Sequence, residues 1–238
     1  MAENRESQRI RERLALQLPV RIYCREAPDF EWTEMTRLMN VTPFGAAFTL
    51  SRPTEKGRLL HMTIPMPRQL RVFDHVEDQY RIWAIVRHLK SKTTDKGPAF
   101  EVGVAFIGKR APASYETEPW KCYEISVDGS EKLASVEEAV RSGSDQGEHT
   151  RHHIAVDMLV EIVDLNGAVV MSEQTVTEDI SPQGATLFTT LEVPIGRFIR
   201  LTSAQYSTTA HASIRSRTTG ADGVERIHVE FVDKQWPL

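Results

Sequence analysis

The chain has 238 residues, of which 40% are hydrophobic and 26% are charged, and this composition excludes a globally disordered protein. Its 29 basic and 33 acidic residues give a formal net charge of −4, so it lacks the overall positive field that holds long nucleic acid. Two cysteines cannot form a disulfide framework, and we expect buried or inert thiols. The N-terminus is charged and no uncharged apolar run reaches about 18 residues, so we expect a cytoplasmic protein without a membrane span.

The first half of the chain contains short segments with the periodicity of β-strands. Residues 16–22 alternate apolar and polar side chains, which places every second side chain on one face of a strand. Similar short runs follow, separated by glycine, proline and charged turns. These runs are Gly45–Leu50, Leu59–Ile64, 82–89 and 100–107.

Residues 109–146 have a different composition, typical of turns and linkers. Within them, residues 133–140 are compatible with a helix, so we predict a linker that contains a short helix. We expect Pro119, Trp120, Tyr123 and Ile125 to cover one end of the preceding unit. A docking site for another protein is the alternative interpretation of these residues.

The second half of the chain repeats the first. Residues 40–46, Asn-Val-Thr-Pro-Phe-Gly-Ala, match residues 179–185, Asp-Ile-Ser-Pro-Gln-Gly-Ala, and residues 57–63 match residues 196–202 at the same offset. Residues 156–162 alternate as residues 16–22 do. The first copy carries an extra stretch around residues 71–78.

This repeat predicts an all-β protein with two six-stranded antiparallel barrels in tandem, because closing a small sheet removes its exposed edges. The predicted boundaries are residues 1–110 for the first barrel, 111–147 for the linker and 148–238 for the second barrel.

We find no arrangement of residues that predicts an enzyme. The sequence has no Gly-x-Ser-x-Gly, no His-Glu-x-x-His, no phosphate-binding glycine loop and no Cys-x-x-Cys. His149, His152 and His153 are close together, but the nearby sequence supplies no third and fourth zinc ligand of the usual kind, so a solvated histidine cluster is favoured. We therefore predict a non-enzymatic protein without a cofactor or a metal.

One constellation indicates anion recognition. Arg9 and Arg13 lie four residues apart near the N-terminus, and Asn40, Thr42 and Gly45 follow. An arginine fork donates two parallel hydrogen bonds to phosphate or to the edge of guanine. Asn and Thr add hydrogen-bonding groups, and Gly permits a close backbone approach or a positive φ. The alternative is a solvated charged face and an ordinary β-turn.

In combination, these motifs resemble the PilZ domain family, bacterial receptors for cyclic di-GMP. The pieces are Arg9 and Arg13, then Asn40, Thr42 and Gly45, and a final Gly-x-x-Phe strand at 103–106. The resemblance covers residues 9–109 and again 149–233. It implies a six-stranded barrel that binds the dinucleotide at its outer edge, with the arginines holding guanine and phosphate, and it implies no turnover.

The second copy departs from this pattern. Asp179, Ser181 and Gly184 match the family motif, but His149 and His153 stand where the arginines are expected. Arg151 could reach a phosphate, although one cation does not replace two arginine forks. His228 stands in place of Gly103. These residues are therefore weaker candidates, and we expect weak or absent ligand binding in this copy.

The sequence thus predicts a cyclic di-GMP receptor in which the first barrel binds the dinucleotide through Arg9, Arg13, Asn40, Thr42 and Gly45. The second barrel would serve as a scaffold or as the binding site of a protein partner. The alternative function is a ligand-independent tandem barrel that acts as a scaffold for protein contacts.

Overall fold

The chain is an all-β protein in a computed structural model, which describes residues 17–95, 97–126, 135–138, 151–165 and 167–238. The two predicted six-stranded antiparallel barrels are confirmed. The first barrel contains β1 (Pro19–Ala27), β2 (Phe30–Thr42), β3 (Gly45–Leu50), β4 (Leu59–Ile64), β5 (Tyr80–Thr94) and β6 (Gly97–Gly108). The linker contains β7 (Tyr123–Ser126) and β8 (Ser135–Glu138). The second barrel contains β9 (Asp157–Val163), β10 (Val169–Ile180), β11 (Gly184–Phe188), β12 (Phe198–Ser203), β13 (Thr208–Thr219) and β14 (Glu225–Phe231).

Both barrels have the same strand order. The first closes as β1-β2-β3-β6-β5-β4, and the second follows the equivalent order β9-β10-β11-β14-β13-β12. The alternation that predicted β1 is observed, because Val20, Ile22 and Cys24 point into the first barrel and are fully buried. Each barrel has its own apolar core. The sequence repeat is therefore a structural repeat.

The extra stretch of the first copy forms the connection from β4 to β5. It contains a 3₁₀ turn at Arg68–Leu70, followed by the buried Arg71. Arg71 donates hydrogen bonds to the backbone oxygens of Met66 (2.8 Å) and Asp78 (2.9 Å) and lies over the Tyr80 ring. A single buried arginine thus organises this insertion, while the second barrel joins β12 to β13 by a short turn.

The helix predicted at residues 133–140 is wrong where the structure describes it, because Ser135–Glu138 forms β8 and pairs antiparallel with β7. So short a helix gains little from propensity alone, and pairing with a neighbouring strand supplies more hydrogen bonds. In the described part of the linker, the helical element is a 3₁₀ turn at Ala113–Glu116.

The linker packs against the outer wall of the first barrel, whereas an end of the barrel was predicted to be covered. Tyr115 and Tyr123 are buried against Leu59 and Ile85, whose side chains point outward from β4 and β5. The rings of Tyr115 and Trp83 meet edge to face at 4.8 Å between centroids.

The barrels are joined by a buried ionic cluster centred on Glu55. Arg58, which is fully buried, donates to Glu55 Oε1 at 2.6 Å and to the backbone oxygens of Pro119 and Gly196 at 3.2 and 3.3 Å. Arg215 of the second barrel donates to both carboxylate oxygens of Glu55, the Oε1 contact being 3.1 Å. Arg215 also donates to Glu230 at 2.8 Å. One carboxylate therefore bridges a cation from each barrel.

The linker also contributes to this junction. Gly196 has a φ of +90°, and a Cβ atom there would lie 2.2 Å from Trp120 Cβ and 2.4 Å from the backbone oxygen of Glu26. Only glycine fits this turn, both for its backbone conformation and for the space available. Trp120 is thus held against the turn that precedes the buried Arg197.

The two cysteines are free and buried, as expected. Burial raises the pKa of the Cys24 thiol far above its usual range. This thiol is therefore protonated and unreactive.

Replacing Glu55 tests whether the ionic cluster stabilises the chain. We expect Glu55→Gln to lower the free energy of unfolding by about 3 kcal/mol, because it leaves the buried Arg58 without its carboxylate and removes one of the two carboxylates that pair with Arg215. Urea denaturation measures this change. Asp78→Asn is the control, since the Asp78–Arg68 pair is exposed, and it should leave the midpoint unchanged. Equal midpoints for both variants would contradict the structural role of Glu55.

Candidate ligand site on the first barrel

The structure brings part of the predicted site together. Asn40, Thr42 and Gly45 lie at the turn from β2 to β3. Arg9 and Arg13 lie outside the described residues, as does His149. The turn and its neighbouring strands therefore define the site.

A β-bulge directs Asn40 outward. The pairing between β2 and β3 shifts between Leu38 and Asn40, so Met39 is the extra residue. Leu38 and Val41 point into the core, while Met39 and Asn40 between them both point outward. Without the bulge, strict alternation would direct the Asn40 amide inward.

Thr42 uses its hydroxyl within the turn. It accepts a hydrogen bond from the Phe44 N–H at 3.2 Å and donates to the Gly45 oxygen at 3.3 Å. Ser181 makes the same two contacts in the second copy, accepting from the Gln183 N–H at 3.3 Å and donating to the Gly184 oxygen at 3.3 Å. It also accepts from the Gly184 N–H at 3.2 Å. In both copies, the hydroxyl stabilises the turn that presents the preceding Asn or Asp.

Gly45 is required by a close approach between strands. A Cβ atom on Gly45 would lie 2.2 Å from the backbone oxygen of Val104, and one on Gly184 would lie 2.3 Å from that of Val229. Neither residue is among the glycines with positive φ. Gly45 therefore permits a close backbone approach and does not adopt a positive φ. The backbone that approaches it belongs to the adjacent strand β6.

Asn40 begins a row of outward-facing residues that crosses four strands of the first barrel. Asn40 pairs with Ala47, Ala47 pairs with Gly103, and Gly103 pairs with His88. We call these four residues the outer row. Its two middle positions carry a methyl group and a hydrogen atom, so the backbone there is accessible between two polar side chains. Sequence analysis did not place Ala47 or His88 in the site, because their positions depend on the strand register.

The equivalent row of the second barrel carries larger side chains at its two middle positions. It consists of Asp179, Thr186, His228 and Ser216 in the same pairing order. Thr186 stands where the first barrel has Ala47, and His228 stands where it has Gly103. Thr186 is fully buried although it points outward.

Asp179, Thr186 and His228 form a hydrogen-bond network with Arg151. Arg151 Nη1 donates to Asp179 Oδ1 at 2.8 Å and to Thr186 Oγ1 at 3.3 Å. The Thr186 hydroxyl donates to Asp179 Oδ1 at 3.1 Å and lies 3.0 Å from His228 Nδ1. Since the single hydroxyl hydrogen goes to Asp179, His228 Nδ1 is the donor to Thr186. Arg151 therefore neutralises Asp179 within the protein, and the second row is occupied by its own side chains.

Across the described ranges of the chain, no group of three or more His, Cys, Asp or Glu residues is arranged to hold a metal ion. Of the histidines considered for this role, His152 forms a backbone bridge with Ile180. No helix within these ranges is long and apolar enough to cross a membrane.

No protein-family model and no curated protein matches the chain. Among solved structures, it is similar to the inhibitor of motility MotI/DgrA of Bacillus subtilis, at 10% identity over 93% of this chain and 90% of that one, with a TM-score of 0.31. It is also similar to two proteins solved in complex with c-di-GMP. PlzA of Borreliella burgdorferi is 10% identical over 94% and 84% of the two chains (TM-score 0.30), and YcgR of Escherichia coli is 12% identical over 91% and 76% (TM-score 0.28).

Two glycine substitutions separate packing from ligand contact. We expect Gly45→Ala to lower the free energy of unfolding by about 1 to 3 kcal/mol, because its methyl group would overlap the Val104 oxygen. Gly103→Ala is the matched control. Its Cβ would lie 3.4 Å from His88 Cβ, and we expect a change within about 0.5 kcal/mol. Urea denaturation measures both. A stable Gly45→Ala variant would show that the strands can separate at this turn.

The turn hydroxyls should differ in their contribution to stability. Ser181 is 1% exposed, whereas Thr42 is only partly buried. We expect Ser181→Ala to cost about 1 to 3 kcal/mol, because it leaves a buried N–H without an acceptor. Thr42→Val should cost less, about 0.5 to 1.5 kcal/mol, since water can replace the lost partner. Chemical denaturation of both variants checks this order, and the reverse order would refute it.

Proposed function

We propose that the chain is a cyclic di-GMP receptor that binds the dinucleotide on the outer row of its first barrel. The observation that carries the proposal is the contrast between the two copies. The first row has open middle positions at Ala47 and Gly103, while Thr186, His228 and Arg151 fill the second. The first copy thus has space for a ligand, whereas in the second copy the side chains of the row are hydrogen-bonded to one another.

The chemistry of the outer row suits a flat base with polar edges. Asn40 offers an amide donor and an acceptor, and the bulge directs it outward. Ala47 and Gly103 leave room for a planar ring to approach the backbone. Arg9 and Arg13 belong to the N-terminal segment just before β1, which is the neighbour of β2. Their forks would bind phosphate and guanine.

The proposed role is binding without turnover, in the cytoplasm. The outer row holds an amide, a methyl group, a glycine and an imidazole, and no nucleophile next to a base. The ligand would act by changing contacts of the protein rather than by being transformed.

The second barrel would act as a scaffold or contact a protein partner. Its hairpin from β9 to β10 exposes three consecutive apolar residues, namely Val169, Val170 and Met171, with relative exposures of 44%, 55% and 43%. Exposed apolar groups of this kind are typical of contact surfaces. The same observation favours the second candidate function, a tandem barrel that contacts proteins without a ligand.

Transplanting the second row into the first tests the proposal. In isothermal titration calorimetry of the full chain, we expect wild type to bind cyclic di-GMP. The double variant Ala47→Thr, Gly103→His and the variant Arg13→Ala should each bind at least tenfold more weakly. The first introduces bulk into the open positions, and the second removes one arginine fork. Asp179→Asn in the second barrel should bind as wild type.

Three outcomes would count against the proposal. Absence of binding to wild type refutes the receptor function and leaves the scaffold function. Unchanged binding to the double variant refutes the outer row as the site, and loss of binding in Asp179→Asn moves the site to the second barrel. GMP and cyclic di-AMP serve as ligand controls, and the urea midpoint of the double variant shows that it remains folded.

A further inference from the structure

A polar cleft lies between the two barrels. It has a volume of about 270 Å³. Glu26, Phe30 and Arg52 line it from the first barrel, and Arg197, Arg200 and His211 line it from the second. Three arginines at one junction are unusual unless each has a partner, so the partner of each charged group decides what the cleft can bind.

Arg197 is buried with part of its hydrogen-bonding capacity unused. It is 6% exposed, and Nη2 donates to the backbone oxygen of Val163 at 3.1 Å. Nη1 has no hydrogen-bond acceptor, although it forms an ion pair with Glu26 Oε2 at 3.6 Å and the guanidinium lies over the Phe30 ring. Buried guanidinium nitrogens are normally hydrogen-bonded, so Nη1 has a donor that a ligand oxygen could use.

Arg52 brings a second positive charge to the same cleft. Its guanidinium lies over the Trp32 ring and donates to the backbone oxygen of Asp164 at 3.3 Å. Within the part of the chain that the structure describes, no carboxylate forms an ion pair with Arg52. Burial lowers the pKa of Arg197, the charge of Glu26 raises it, and the charge of Arg52 lowers it again, because the two cations repel each other.

The other charged groups of the cleft are already engaged. Glu26 accepts hydrogen bonds from Trp32 Nε1 at 2.7 Å and from the Phe198 N–H at 3.4 Å. Arg200 forms a two-point pair with Glu161, with both distances 2.8 Å.

His211 lies 3.0 Å from Asp233 through its Nδ1. Among these groups, Arg52 has no ion pair with a carboxylate of the described residues, and Arg197 has a single ion pair, with Glu26 at 3.6 Å.

We propose that this cleft binds a small phosphate anion, of the size of pyrophosphate or of a short phosphate monoester. Two guanidinium groups that face one space can each donate to phosphate oxygens, and the anion would remove the repulsion between them. The cleft is below the range of about 300 to 1,000 Å³ that is usual for larger organic ligands, so it does not fit a cyclic dinucleotide.

This site is separate from the outer row. Phe30, at the start of β2, lines the cleft, whereas Asn40 lies near the other end of the same strand. The proposal therefore does not depend on binding of cyclic di-GMP.

Titration of the full chain with inorganic pyrophosphate tests this site, with sodium chloride added to the controls to match ionic strength. We expect pyrophosphate to raise the melting temperature of wild type in a dose-dependent manner. Calorimetry of Arg52→Gln should show at least tenfold weaker binding. Arg21→Gln is the matched control, because Arg21 is exposed on β1 and does not line the cleft, and it should bind as wild type.

A second variant, Arg197→Lys, keeps the charge and removes the fork, and it should also weaken binding at least tenfold if its urea midpoint shows that it folds. Absence of a pyrophosphate effect beyond that of sodium chloride would overturn the proposal, as would equal affinity of wild type and Arg52→Gln. The double variant Ala47→Thr, Gly103→His should retain pyrophosphate binding, so the two proposed sites can fail independently.

Discussion

The arrangement of the two barrels depends on the burial of one carboxylate between two arginines. Glu55 is 2% exposed and accepts hydrogen bonds from Arg58 of its own barrel and Arg215 of the other. Removing charges from water is costly, and their mutual attraction offsets that cost only when geometry and additional hydrogen bonds are good. Arg58 satisfies this condition through backbone oxygens of the linker and of the second barrel. This contact therefore specifies how the two barrels are oriented, because Arg58 and Arg215 can both pair with Glu55 only when both face this carboxylate.

The repeat shows how one fold can carry an open and a closed version of the same surface. Both copies keep the bulge, the turn hydroxyl and the glycine that permits strand contact. They differ at the positions that follow along the row. In the first copy, Ala47 and Gly103 leave the backbone accessible, whereas in the second Thr186 and His228 complete a network with Arg151. Both copies thus keep the residues that build the turn. The small residues that leave space beside it occur in the first copy.

Sequence periodicity predicted the barrels because most strands bury every second residue. It did not outline β2, whose exposed outer positions and bulge at Met39 interrupt the alternation. The predicted helix at 133–140 was wrong at Ser135–Glu138, where pairing with the neighbouring strand β7 overrides local propensity.

For the candidate site, the motif indicated the turn residues. The filling of the second row by Thr186 could not be predicted without the strand register. The buried contacts between the barrels join residues far apart in the chain, and their charges alone did not indicate that they meet.

Gly57 and Gly196, which precede Arg58 and Arg197, allow the linker to pack closely against both barrels. Beyond Trp120 at Gly196, a Cβ atom on Gly57 would lie 2.8 Å from Cys122 Cβ and 2.9 Å from the Tyr123 oxygen. The linker is therefore packed into the junction between the two barrels, and its amino-acid composition matters as much as its length. A single barrel cut out of the chain would lose the contacts of its outer surface with the linker. A neutral glycine-serine linker could not restore these contacts.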